Sequence, residues 1–263
     1  MQISPTRTSR RFFSILGGST VLLAALCAGS CTEKALDPND PKGSFVTAKE
    51  PYDDKNYEIA LTKLGEFKAR FPYSQYSIEA ELLIADSHFE LKQYVEAAAA
   101  YEQFVKLHPK HAKVDFALFR AGESYWYDSP EEPDREQEFT EKAIASWRDM
   151  VNKRPKGEYT EKAKAYITKG ELRIAASAEF VAKYYCKKDI WHACAHRNQQ
   201  IAERFAAYPD IRRRALTAAS HALEELAKGK EKDPTDTSNL YFKAMNAEQL
   251  RAKARELGEL AKK

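Results

Sequence analysis

Between Asn56 and Tyr127 the apolar positions recur in helical steps, and NYEIALTKLGEFKARFPYSQY lies in register with QYVEAAAAYEQFVKLHPKHAK 37 residues further on. Tyr57 falls on Tyr94, Ala60 on Ala97, Phe67 on Phe104 and Pro72 on Pro109. The same shift carries Ala48 onto Ala85 and Ala85 onto Gly122, and Ala48 and Ala85 each stand 24 residues before their proline. Apolar residues three and four apart mark one buried helix face, and a proline stops a helix. Each unit is therefore expected to be an antiparallel helix pair. A small residue midway along the first helix admits the second, a small residue on the second (Ala60, Ala97) takes the return packing, and the proline closes the pair. One such pair cannot bury its apolar face alone, so successive pairs must stack and leave a concave surface.

The pattern predicts an all-α chain, a tetratricopeptide-repeat solenoid of about five helix-turn-helix units. Repeat one begins near Ser44, but Pro51 falls where its first helix should still run, so that helix is expected to be short or broken. Repeat two, Ile78 to Pro109, is uninterrupted. Repeat three opens with DFALFRAGESYWY, and its second helix, FTEKAIASWRDMVNKRP, comes late: Gly122 to Ala143 is 21 residues against 12 from Ala85 to Ala97. The insert holds SPEEPD and reads as a longer loop. Repeat four has a long first helix, about Thr160 to Lys187, a turn at Lys187–Asp189 and a second helix ending before Pro209. Trp191 to Pro209 is 18 residues against 15 from Tyr57 to Pro72, which predicts one extra turn in that helix. Repeat five, Ile211 to Ala227, is followed by a polar linker and a charged capping helix from about Leu240. Residues 44–158 thus form repeats one to three and 159–263 repeats four and five.

Ahead of the repeats, Arg7, Arg10 and Arg11, an apolar run from Phe12 to Leu26 and small residues make a secretory signal over residues 1–30. Its ending, Ala28-Gly29-Ser30-Cys31, resembles the bacterial lipobox, which makes Cys31 the expected lipidation site and first mature residue. Thr32 rather than aspartate after that cysteine points to the outer membrane. The polar, proline-containing stretch that follows completes a tether over 31–43. Cleavage removes three arginines and no acid, so the 42 basic and 39 acidic residues become 39 and 39, and the formal charge of +3 belongs to the signal. No basic patch interleaved with aromatics remains to argue for nucleic acid.

After cleavage the thiols besides Cys31 are Cys186 and Cys194, which flank the repeat-four turn. They admit a disulfide, two buried free thiols, or a zinc site with His192 and His196, which share a helix face. No phosphate-binding glycine loop, HExxH or GxSxG occurs, so no catalytic residue, cofactor or resident metal is expected. Phe89, Phe116, Phe119 and Trp126, with Asp86 and Glu123 between them, read either as core or as the lining of a groove for an extended partner segment.

Three stretches go beyond a generic repeat: RFPYSQYSIEAELLIADSHFELKQYVEAAAAYEQFVKLHPKHAKVDFALFRAG, DREQEFTEKAIASWRDMVNKRP and AEFVAKYYCKKDIWHACAHRN. Together they resemble the outer-membrane β-barrel assembly lipoproteins of the BamD (YfiO or ComL) type. The resemblance implies a non-enzymatic scaffold held by lipid on the periplasmic face of the outer membrane. Its N-terminal repeats would be the substrate end, receiving unfolded outer-membrane proteins. Its C-terminal repeats would dock on the periplasmic domains of a barrel-shaped core subunit, alongside other assembly lipoproteins. It also places Arg197 in the helix that contacts that subunit, with His196 and Trp191 as its neighbours. The extra turn expected before Pro209 would re-aim that helix. A second reading is a periplasmic adaptor for cell-wall synthesis or division enzymes; an enzyme has only the histidine and cysteine cluster near Trp191 in its favour.

Overall fold

The structure, a computed structural model, describes residues 39–235, 239 and 241–263. The signal, Cys31 and the tether up to residue 38 lie outside the described residues. Ten helices follow in order: α1 Pro41–Asp53, α2 Tyr57–Arg70, α3 Gln75–Glu90, α4 Tyr94–Leu107, α5 Val114–Asp128, α6 Glu138–Lys153, α7 Thr160–Lys187, α8 Trp191–Arg204, α9 Pro209–Lys232 and α10 Ala247–Ala261. Each packs on the next, giving five hairpins and no strand among the described residues. This is the all-α tetratricopeptide-like solenoid that the periodicity predicts.

The repeat is legible in the backbone. The first helices of repeats one, two and four all end on a residue in the left-handed region: Lys55 (φ 61°), Lys92 (φ 60°) and Asp189 (φ 57°). In each case the next amide reaches back to the same place. Asn56 donates to the Pro51 carbonyl at 2.7 Å, Gln93 to His88 at 2.9 Å and Ile190 to Tyr185 at 3.0 Å. These are Schellman caps built without glycine. The second helices of repeats one to three stop alike, with Phe71, His108 and Arg154 out of the helical region. Each of these residues precedes a proline, whose ring excludes the helical conformation there.

The small positions do what the alignment requires. A Cβ on Gly122 would lie 2.5 Å from the indole nitrogen of the fully buried Trp147, and one on Gly170 would lie 2.7 Å from Ile144. The interior runs through three successive clusters. Phe45, Leu64 and Phe67 centre the first, Tyr101, Phe119 and Trp147 the second, and Leu216, Leu223 and Leu250 the third.

Four expectations need correction. Pro51 neither shortens nor breaks α1, which is 13 residues long and continues to Asp53, because the proline lies in the last turn, where one lost amide bond is tolerated. That helix also starts earlier than Ser44, at Pro41, with the Asp40 side chain accepting from the Gly43 amide. Helix α8 has 14 residues, the same as α2 and α4, so there is no extra turn. The surplus residues form the turn after Arg204, and Pro209 opens α9 rather than closing α8. Lastly, α10 begins at Ala247 behind an Asn246–Gln249 capping box, not near Leu240, which lies outside the described residues.

Candidate functional site

Two surfaces carry the residues singled out in the sequence. The first is built where α3 and α5 stack. Arg120 of α5 is its centre: its guanidinium lies 3.5 Å above the Phe89 ring, Nη1 donates to Glu123 at 3.0 Å and Nε to the Tyr101 hydroxyl at 3.2 Å. Asp86 and Glu90 each lie 3.8 Å from Nη2, and the Tyr101 hydroxyl donates to Asp86. Lys162 of α7 adds a second cation, 3.6 Å from Glu123.

Burial dominates the electrostatics. It holds Asp86 above its ordinary value of 3.8 against the Tyr101 hydrogen bond and the Arg120 charge. Tyr52 is pushed up to about 12, by burial first and then by the Asp86 charge. Arg120, Asp86, Glu123 and the Tyr101 hydroxyl are thus tied into one cluster of hydrogen bonds and ion pairs with aromatic walls.

The six groove candidates therefore separate. Asp86, Phe89, Phe116 and Glu123 gather around Arg120, whose guanidinium is 5.9 Å from the Phe116 ring centre. Phe119 is 1% exposed and belongs to the core, packed on Tyr159 at 5.2 Å and Trp147 at 6.2 Å, because the next helix pair closes over it. Trp126 lies further along α5, half-buried under the Arg173 guanidinium at 3.7 Å. Sequence reasoning missed Arg120 and Tyr101; the i, i+3 spacing of Arg120 and Glu123 was the one local signal available.

The second surface is α8. Trp191, His196 and Arg197 do not share a face. Trp191 meets His221 of α9 at 5.7 Å, His196 stacks on Tyr241 at 3.9 Å, and Arg197 turns toward α7, with its guanidinium 4.8 Å from the Tyr185 ring. Arg197 lines a cleft of about 930 Å³ between α6, α7 and α8, floored by Ile174, Ala178 and Val181. Across that cleft Arg204 pairs with Glu141 at 2.9 Å, whereas no carboxylate among the described residues lies within ion-pair distance of Arg197.

At the turn before α8, Cys186 and Cys194 are joined by a disulfide with a Cα separation of 4.8 Å. Their sulfurs are thus spent as thiolate ligands, and His192 and His196 both lie against Tyr241. No group of three histidines, cysteines or carboxylates among the described residues is placed to hold a metal.

The family model described as "YfiO: Outer membrane lipoprotein" matches residues 38–238, which is most of this solenoid. The chain belongs to the YfiO family. Among its YfiO-type relatives, the outer membrane protein assembly factor BamD of Caulobacter vibrioides is 27% identical over 192 residues, covering 71% of this chain and 62% of the relative. The chain thus spans less than two thirds of that protein's length. The BamD of Vibrio cholerae is 23% identical over 220 residues, covering 79% of this chain and 90% of the relative. A solved kinesin light chain with TPR-like repeats from Podosopora anserina aligns over 86% of this chain with a TM-score of 0.34 and 12% identity, too distant to bear on function. No described helix is long and apolar enough to cross a membrane.

Proposed function

We propose that this chain is a non-enzymatic, lipid-anchored scaffold of the machinery that assembles β-barrel proteins into the outer membrane. The observation that carries the reading is the YfiO match along residues 38–238, together with relatives named as assembly factors. Cys31 supplies the anchor, and acyl chains stabilise attachment to a bilayer surface by about 0.8 kcal/mol per buried methylene. The Arg120 surface, walled by Phe89 and Phe116, receives an extended segment of an unfolded barrel precursor: aromatic walls hold apolar side chains, and the paired charges beneath offer hydrogen bonds to its backbone.

Arg197 docks the core subunit. A guanidinium with no carboxylate within ion-pair distance among the described residues, laid on a tyrosine ring beside an apolar-floored cleft, is suited to bidentate pairing with a partner's carboxylate. Arg197→Glu reverses that charge and should weaken binding of the purified periplasmic domains of the core subunit by at least about tenfold, since a buried charge pair carries about 1.5 kcal/mol or more of coupling. Its far-ultraviolet circular dichroism should match the wild type. Unaltered affinity in a correctly folded variant would overturn the docking role.

A further inference from the structure

We propose that the Cys186–Cys194 disulfide is a thiol-exchange site, a bond that a dithiol reductant opens while the solenoid stays folded. Cys194, in the first turn of α8, is 2% exposed, whereas Cys186, at the end of α7, is half-buried. Both cysteines border an open cavity of about 500 Å³ whose far wall is α9, with Arg213, Arg214 and His221 lining it. An incoming thiolate thus has room to approach, and Cys186 is the sulfur it reaches. Positive groups near a thiol favour its thiolate form. Arg213 shares its charge with Asp210 and Arg214 with Glu179, so the wall is cationic in part.

The two ends of the bond differ as leaving groups. Cys194 lies near the positive end of the α8 dipole, whereas the Asn198 amide nitrogen stands beside both sulfurs, 3.5 Å from that of Cys186 and 3.7 Å from that of Cys194, and does not tell them apart. Cys186 occupies the last turn of α7, at the negative end of that helix. The lower-pKa thiol leaves faster, so attack on Cys186 with departure of Cys194 is favoured on both counts. The reductant's thiolate bonds to the Cys186 sulfur, the bond between the two cysteines breaks, and its electron pair stays on Cys194. The reductant's second thiol, losing its proton, then attacks its own sulfur in the mixed disulfide and expels the Cys186 thiolate. Two electrons and two protons pass from the dithiol to the protein, and the dithiol leaves as a cyclic disulfide.

The test uses the full chain under native conditions with dithiothreitol, followed by alkylation and peptide mapping, while circular dichroism follows the fold. Both cysteines should become alkylated at least about tenfold faster than the protein unfolds, because an accessible sulfur needs no global opening. Reduction should raise amide exchange across residues 186–197. In single variants offered glutathione disulfide, Cys194→Ala should form a mixed disulfide on Cys186 readily, and Cys186→Ala should leave Cys194 at least about tenfold less reactive until denaturant is added. Reduction that merely tracks global unfolding, or equal reactivity of the two lone thiols in folded variants, would overturn the proposal and leave the bond a structural staple.

Discussion

Gly122 has no room for a methyl group. Its added Cβ would meet the Trp147 indole at 2.5 Å, and Trp147 is fully buried and donates to the Phe119 carbonyl at 3.2 Å, so it cannot retreat. Gly122→Ala should lower stability by about 1–3 kcal/mol, as overpacked cores do. Gly65, in the middle of α2 with nothing within 4 Å of its Cβ position, is the control: Gly65→Ala should raise stability by about 0.5–1 kcal/mol. Denaturant titration of both variants checks the pair, and equal losses would mean that backbone freedom, not the indole, sets the Gly122 effect. Asp86 makes a prediction in pH. Burial raises its folded pKa, so its contribution to stability is full below about pH 3.8 and is lost as pH rises through the folded value. The stability of the wild type relative to Asp86→Asn should therefore fall as pH climbs from about 3 and then level off. A difference that grows with pH would show that Arg120 outweighs burial. Gly122 was legible because it aligns with Ala85 along one strip of sequence. Arg120 was not, because its partners Asp86, Phe89 and Tyr101 lie on two earlier helices and meet it only after stacking.

The caps explain both what the chain announces about its helices and what it conceals. Prolines directly after Phe71, His108 and Arg154 mark the ends of α2, α4 and α6 because they bar the preceding residue from the helix. Pro209 looks the same in the sequence but stands at the first position of α9, where its missing amide costs nothing, and counting residues back from it overestimates α8. The Schellman turns are hidden for a different reason: lysine and aspartate occupy the left-handed positions where glycine is the usual signal. Lys92→Gly should relieve that conformation. The left-handed region costs an L-residue about 1–2 kcal/mol, glycine's looser unfolded chain returns part of it, and a net gain of about 0.5–1 kcal/mol is expected. Thermal unfolding measures it, and a loss would mean that the lysine stem contributes packing at the turn.

Across the whole molecule, the α7 helix sets the arrangement of surfaces. At 28 residues it is twice as long as α8, and it lies in contact with both α6 and α8. The cleft that exposes Arg197 lies between those two helices, on α7 as its floor. The long helix was readable from its uninterrupted helical pattern, and the structure gives it the predicted limits, Thr160–Lys187. The cleft was not readable, since it depends on where two helices distant in sequence settle along a third. The aromatic surface around Arg120 is built mainly on helices before α7, and Arg197 itself stands on the helix after it, which suits the proposed scaffold that holds a precursor and a core subunit at once. Affinity purification of the C-terminally tagged lipoprotein from gently solubilised membranes, with mass spectrometry of the co-purifying chains, tests that account most directly. It predicts a barrel subunit with periplasmic domains in near-equal amount, lost when Arg197 is replaced by glutamate. Recovery of cell-wall synthesis or division enzymes in its place would contradict the account.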